Sequence, residues 1–293
     1  MLGEIRGEVR FKEPLSFHTS LRIGGPADFF IVPQDVEDIR HALGFAEKEQ
    51  LPVEVVGGGN NLLVRDRGIR GVVLKLEGCL GRADFHGEEA VAGAGVSLSA
   101  LIREAASLNL GGLEALVGIP ATIGGAVAMN AGTPDGWIGD YVSAVYFLHA
   151  DGTLGEFKPG NGAFGYRTFA APAGSVLIGA RLRLHRRPHA EIMKDIKQRL
   201  KQKKASQPLA LASAGCVWKN PPGEVAGKLL EKVGLKGKRL NGAEISAKHA
   251  NFIVNRGGAM GADVLALMDI ARERVKNHFN IALEPEIRIL GEG

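Results

Sequence analysis

Apolar positions along the first 75 residues recur at two alternating periods. "ADFFIVP" (27–33) is an apolar run of strand length, and behind it Val36, Ile39, Leu43 and Ala46 share one helical face. Asp35, just ahead of that face, is placed to cap the helix. "PVEVV" (52–56) and "GVVLKL" (71–76) predict two further strands, giving a β-α-β-β order. Beyond residue 77, "GEEAVAGAGV" is strand material. Leu98, Leu101, Ile102, Ala105 and Leu108 repeat at helical spacing over 97–109, and Gly111-Gly112 ends that helix. "YVSAVYFLHADGTLGEF" predicts a strand, an Asp-Gly turn and a strand, and "VLIGARLRL" (176–184) alternates as a half-buried strand does. The pattern then predicts a helix over 186–206 with Ile192, Ile196 and Leu200 as a narrow stripe, and a helix in "EVAGKLLEKV" (224–233). A strand "NFIVN" (251–255), a helix from Asp263 to about Phe279 and a strand around "EPEIRIL" complete an α+β chain of two or three domains.

Composition narrows the classes. The 293 residues are 45% hydrophobic, ample for a large core, and the net charge of +4 suits an anionic small ligand without demanding nucleic acid. Residues 186–206 hold eight Lys/Arg against two acids, but no aromatic residues interleave them, so a solvated helix face is expected rather than a nucleic-acid patch. Two cysteines, Cys79 and Cys216, make neither a disulfide framework nor a metal motif; a reducing cytoplasm and no metal are expected. The charged N-terminus has no secretion-signal pattern. Ala115 to Pro134 carries no charge but is broken by Gly118, Pro120, Gly124 and Gly125, so no membrane insertion is expected.

The candidate chemistry starts at "VVGGGNNLLV" (55–64), where three glycines and two asparagines end a strand. A hairpin turn would use one glycine; this run suits either a wide turn or a backbone that a phosphate approaches closely. It is no dinucleotide fingerprint, since Gly57-x-Gly59 lacks the third glycine, and no P-loop is present. "GIPATIGGAVAMNAG" (118–132) is a second bare loop, with Thr122 and Asn130 as its polar side chains. Two such loops suit a clamp on a long dinucleotide, or tight packing in a core.

Together, "VVGGGNNLLVRD" and "GIPATIGGAVAMNAG" resemble the UDP-N-acetylenolpyruvoylglucosamine reductase (MurB) family. The resemblance continues through "FGYRTF" (164–169), "SAGCVWKNP" (213–221), "ISAKHANFIVN" (245–255) and "LEPEIRILG" (283–291), nearly the whole chain. It implies two N-terminal subdomains of the vanillyl-alcohol-oxidase (PCMH-type) FAD-binding fold, 1–76 and 77–187, and a substrate-binding C-terminal α+β domain, 188–293. It also implies non-covalent FAD, NADPH as hydride donor, a UDP-sugar substrate and a monomer. Gly57, Gly58, Gly59, Asn60, Asn61 and Leu62 match the first FAD loop. Gly118, Ile119, Thr122, Gly124, Gly125 and Asn130 match the second.

In that family hydride passes from the flavin to an enolpyruvyl carbon, and the enolate that develops is stabilised and protonated. Arg167 matches the catalytic arginine, whose planar charged fork suits a carboxylate. Cys216 falls where the family most often has a proton-donating serine; thiols, with pKa near about 8.5, give up a proton far more readily than hydroxyls. Glu286 matches the third catalytic residue, with Glu284 expected on the same face of one strand. Tyr166, Lys219, Asn220, His249 and Arg288 match substrate-side positions. Phe169 replaces a usual serine, and no tyrosine lies between Arg167 and Cys216, as in the shorter subtype lacking a tyrosine loop. The basic residues of 186–204 are then placed to meet the substrate diphosphate in its stead. Three rivals stand beside this reading: a flavin oxidase, a cysteine hydrolase using Cys216, His249 and Glu286, and a nucleotide-binding module without turnover.

Overall fold

The computed structural model describes residues 2–293. The chain folds as two compact units. One comprises the residues through Phe11, Phe29–Gly58 and Gly71–Lys203; the other comprises Lys12–Asp28, Gly59–Arg70 and Lys204–Gly293.

Five strands come first along the chain: β1 (Glu8–Pro14), β2 (Pro26–Val32), β3 (Val53–Val56), β4 (Leu62–Val64) and β5 (Ile69–Lys75). Helix α1 (Val36–Lys48) separates β2 from β3. The sheet of the first unit orders β1-β2-β5-β3, with β3 and β5 parallel from Val53↔Val72 to Val56↔Lys75. Asp35 caps α1 as expected, accepting from the amides of Glu37 and Asp38. The helix buries Ile39, Ala42, Phe45 and Ala46 against Ile31, Val72 and Leu74. Asp38 is fully buried: burial pushes its carboxyl up, but the amides of Arg6, Gly7 and Gln34, at 2.8–3.0 Å, outweigh that and hold it below the usual carboxylate range.

The first unit carries a second, antiparallel sheet. Its strands are β6 (Ala83–His86), β7 (Glu89–Gly93), Val142–Leu148, Leu154–Phe157 and Val176–Arg183, and Val142–Leu148 and Val176–Arg183 form its centre. Helices α2 (Leu98–Ser107) and α3 (Ile123–Ala128) bury their apolar residues in its core. Ala94, Leu148 and Val176 reach the core of the first sheet, so the two sheets share packing. Leu108, expected on the buried face of α2, is exposed because the helix ends one residue earlier; its amide closes the last turn on Glu104 and Ala105.

Helix α4 (His189–Ser206) follows. Ile192 and Ile196 are buried, whereas Leu200 is 41% exposed and lies over Gly118. Several charges are balanced locally: Arg187 meets Glu114 at 3.1 Å and Asp195 at 2.7 Å, and Arg199 pairs with Asp135. Among the described residues, no helix is long and apolar enough to cross a membrane.

In the second unit, a sheet orders Ala212–Cys216, Phe252–Asn255, Ala243–Ile245 and Arg239–Leu240. Helices α5 (Ala226–Lys232) and α6 (Gly261–Phe279) pack with it around Leu229, Leu230, Val264, Leu267 and Met268. β4 pairs in parallel with Arg288–Leu290, joining positions more than two hundred residues apart in sequence. The final strand is shorter than the pattern around "EPEIRIL" predicts. Pro285 has no amide to give a ladder, so it makes one isolated bridge to Trp218 and the strand begins only at Arg288.

Glu244, 2% exposed, sits between two arginines: Arg239 at 2.5 Å and Arg256 at 2.9–3.0 Å. The bond from Arg256, joined by that from Arg239, outweighs burial and holds its carboxyl below the usual range. Such a group stabilises the fold above its unfolded pKa and loses that contribution as pH falls through the lower folded value. Glu244→Gln should therefore cost about 1–3 kcal/mol at pH 7, read from urea unfolding. The gap between variant and wild type should close as pH falls below about 4.3, the ordinary glutamate pKa; a gap unchanged at pH 3 would contradict the charge argument.

Candidate active site

In the first unit the two bare loops meet. β3 ends at Val56, and a Cβ at Gly57 would strike Thr122 Oγ1, so only glycine lets the first loop pass this close to the second. Thr122, 3% exposed, caps α3, its hydroxyl accepting from Gly125 at 3.3 Å. The amides of Ile123 and Gly124 are spent on the carbonyls of Val96 and Ala94. The short helix is thus tied down by its own first turn, and its amides serve packing. Beneath the first loop lies a buried cation that sequence reading missed. Lys75, 7% exposed at the end of β5, donates to the Gly57 carbonyl at 2.7 Å and pairs with Glu77 at 2.9 Å. Its one signal was a lysine inside the apolar run "GVVLKL". A run of three bare glycines backed by an ammonium group fits an anionic dinucleotide such as FAD.

The remaining loop positions serve several purposes. Gly118 opens the second loop at φ 74°, covered by Leu200 and the stem of Lys203. The Ile119 amide bonds the Leu116 carbonyl, and Gly124 packs against Ala94. Asn130, 5% exposed, uses both ends of its amide within the protein: Nδ2 donates to the Gly165 carbonyl at 2.8 Å, and Oδ1 accepts from the Gly139 amide at 3.0 Å. The first loop continues into the second unit. Gly59, at φ 65°, accepts from the Ser20 amide, Asn61 Nδ2 donates to the Glu286 carbonyl at 3.1 Å, and Leu62 is buried in β4.

Tyr166 and Arg167 form the tip of a hairpin in the first unit, between Phe164–Gly165 and Thr168–Phe169. Arg167 is left-handed, at φ 58°, which costs a non-glycine residue about 1–2 kcal/mol. Its guanidinium lies 5.1 Å from the centre of the Trp137 ring and 5.4 Å from that of Tyr166, and Nη1 donates to the Gly132 carbonyl at 3.2 Å. Phe169, where the family pattern has serine, is buried and stacks on Phe164 at 4.6 Å. It anchors the hairpin in the core.

In the second unit Cys216 and Glu286 come from neighbouring segments. Cys216 ends its strand opposite Phe252, after a bulge with Gly215 at φ 81°. The Glu286 amide donates to the Val217 carbonyl at 2.7 Å, and the Lys219 amide to the Glu284 carbonyl at 2.9 Å. Lys219 Nζ stands 3.5 Å from the Glu284 carboxylate, and the Asn220 side chain accepts from the Ala226 amide at 3.0 Å. Arg288 donates its amide to the Asn61 carbonyl. Asn251, 4% exposed and also missed from sequence, grips Trp218 from both sides. Its Oδ1 accepts from the Trp218 amide at 2.9 Å, its Nδ2 donates to the Trp218 carbonyl at 2.8 Å, and its own carbonyl accepts from Val217.

His249 lies beside this grip. Burial pushes its pKa down, so it is neutral near pH 7. Its Nδ1 accepts from the Asn251 amide at 3.2 Å, which leaves the proton on Nε2. A histidine held in that tautomer presents a donor, not the base a cysteine hydrolase needs. The two thiols also differ. Burial, with the charges of Asp35 and Asp38, pushes Cys79 up to about 11, whereas Cys216 is half-buried.

Comparison with known proteins gives the same outline. A family model described as FAD binding domain matches residues 27–158, and one described as UDP-N-acetylenolpyruvoylglucosamine reductase, C-terminal domain matches 207–290. Proteins named UDP-N-acetylenolpyruvoylglucosamine reductase from Desulfosudis oleivorans and Geobacter metallireducens are 41% and 43% identical to this chain. The alignments cover 98% and 99% of it and 96% of each relative. The crystal structure of the reductase of that name from Thermus caldophilus superimposes with a TM-score of 0.84 at 38% identity, covering 98% of this chain and all of the other. The chain belongs to the UDP-N-acetylenolpyruvoylglucosamine reductase family.

Proposed function

We propose that the protein reduces the enolpyruvyl double bond of UDP-N-acetylenolpyruvoylglucosamine to UDP-N-acetylmuramate, with FAD bound non-covalently and NADPH as hydride donor. The reaction belongs to bacterial peptidoglycan synthesis, and so to cell shape and division, carried out by a cytoplasmic monomer. The observation that carries this reading within the family is the backbone bond from Glu286 to Val217, the residue after Cys216, which pairs the two segments that carry the proposed donor and its helper. Residues 1–76 and 77–187 act as the cofactor subdomains and 188–293 as the substrate domain.

Bound FAD supplies the two-electron chemistry that no side chain can. The Gly57–Leu62 and Gly118–Asn130 loops would hold it, the first backed by Lys75. Arg167 takes the substrate carboxylate in its guanidinium fork and offsets the negative charge that spreads onto it as the enolate develops. The Cys216 thiol delivers a proton to the carbon bearing that carboxylate, and the resulting thiolate regains one from solvent. Glu286 assists charge stabilisation and proton delivery. Tyr166, Lys219, Asn220, His249 and Arg288 orient the sugar nucleotide, His249 through its Nε2–H.

The visible spectrum of the purified protein, recorded anaerobically, tests cofactor, donor and acceptor together. A flavin band should bleach with NADPH and return on adding the enolpyruvyl sugar nucleotide; a colourless protein that takes up no FAD refutes the reading. Cys216→Ala should leave bleaching by NADPH intact and slow reoxidation by substrate about 10²–10⁴-fold, the usual worth of a positioned acid. Cys216→Ser should keep most of the rate. An alanine variant that reoxidises at the wild-type rate would show that the proton comes from elsewhere.

A further inference from the structure

Arg167 has an unusual mount for a residue assigned to charge stabilisation. It stands at the tip of a two-residue turn in a left-handed conformation, so the turn's own backbone does little to direct its long side chain. A flexible cation there would spend much of its time away from the reacting group. Two features of the first unit restrain it. The guanidinium lies over the Trp137 indole, with its carbon 5.1 Å from the ring centroid, and that indole meets the Tyr166 ring edge-to-face at 5.6 Å. The Gly132 carbonyl accepts from Nη1, and Gly132 is the cross-strand partner of Trp137 in the hairpin Gly132–Thr133/Gly136–Trp137. One small hairpin therefore supplies both the ring and the carbonyl.

That hairpin is itself fixed. The Trp137 amide donates to the Asp140 carboxylate at 2.8 Å, and the Ile138 amide to the Ala131 carbonyl at 2.8 Å. Asn130 bonds both Gly165, next to the Tyr166–Arg167 tip, and Gly139, two residues past Trp137. The arginine hairpin and the tryptophan hairpin are thus locked together at a buried amide, and the indole, at the base of its own hairpin, meets the guanidinium at the tip of the other. We propose that Trp137 is a positioning residue for Arg167, its indole face holding the guanidinium in the orientation that receives the substrate carboxylate. The proposal rests on the role given to Arg167 above. Arginine suits such a mount because its planar, weakly hydrated cation stacks on an indole while its edge N–H groups stay directed outward.

The test uses the FAD-loaded enzyme reduced by one equivalent of NADPH, and reads the rate of reoxidation by the enolpyruvyl sugar nucleotide. Trp137→Leu removes the aromatic face and should slow reoxidation about tenfold, while bleaching by NADPH stays within about twofold. Trp137→Phe, which keeps a face, should recover most of the rate and guards against a folding defect in the leucine variant. In an Arg167→Ala background Trp137→Leu should cost almost nothing further, since nothing remains to be positioned. A readout free of turnover is the Arg167 Nε–H resonance in substrate-free protein. The indole ring current should shift it upfield, and Trp137→Leu should abolish the shift. Equal losses in the wild-type and Arg167→Ala backgrounds, a phenylalanine variant as slow as leucine, or an unmoved resonance would each overturn the proposal. If Arg167→Ala itself reoxidises at the wild-type rate, the role of Arg167 falls, and with it the reason to position it.

Discussion

One backbone hydrogen bond ties together the segments of the second unit that carry Cys216 and Glu286: the Glu286 amide to the Val217 carbonyl, 2.7 Å. If the two act as proposed, as proton donor and helper, they must keep their geometry through every turnover, and side chains on two unpaired loops would not keep it. Here the two segments are joined by an antiparallel bridge at Trp218 and Pro285, closed on its other side by the Lys219 amide and the Glu284 carbonyl. Everything around the bridge holds one of its two strands. Asn251 grips both polar groups of Trp218, and removing its side chain would strand two buried groups at about 1–3 kcal/mol each. On the far side, β4 pairs with Arg288–Leu290, and Asn61 donates to Glu286 itself.

The first unit solves the opposite problem. A phosphate-bearing ligand needs a bare, approachable backbone, yet a bare backbone has little to hold it in shape. The answer lies underneath the loops. Gly57 rests against the Thr122 hydroxyl, and the buried Lys75 ammonium is bonded to the Gly57 carbonyl. The first turn of α3 is tied to the turn between β7 and α2 through Val96 and Ala94. Rigidity thus comes from groups behind the loops, which leaves the glycines of each run free of side chains toward a ligand.

Much of this was legible in sequence because the relevant signals are local. Asp35 announces its helix by standing one residue before an amphipathic stripe, and the Asp-Gly turn announces the hairpin of Val142–Leu148 with Leu154–Phe157. The glycine runs announce the loops. What escaped depends on partners far along the chain. Nothing near Asn251 says that it will clamp residue 218, nor near Trp137 that it will face residue 167. Asn130 shows the same limit in reverse. Sitting in a ligand-like loop, it reads as a cofactor contact, and the sequence gives no sign that its amide also ties Gly165 to Gly139. Pro285 was visible, but its effect on the final strand required knowing which neighbour wanted its missing amide.

The two cysteines show how far environment, and not residue type, sets chemistry. Cys79 is buried within reach of the negative field of Asp35 and Asp38, so forming its thiolate is doubly opposed. As a small apolar side chain it fills space. Cys216 stands half-buried at the end of a bulged strand, where the bulge at Gly215 re-aims the residue that follows. Under the proposed mechanism, a thiol in the place of a hydroxyl changes what is asked of the Glu286 carboxyl. The hydroxyl is a poor acid and must be helped as it gives up its proton; the thiol needs less help with the transfer. In the reaction proposed above, the part left to Glu286 is then weighted toward steadying the charge on the substrate, and its tether through the main chain suits that task, because charge stabilisation depends on a fixed distance more than on a mobile proton.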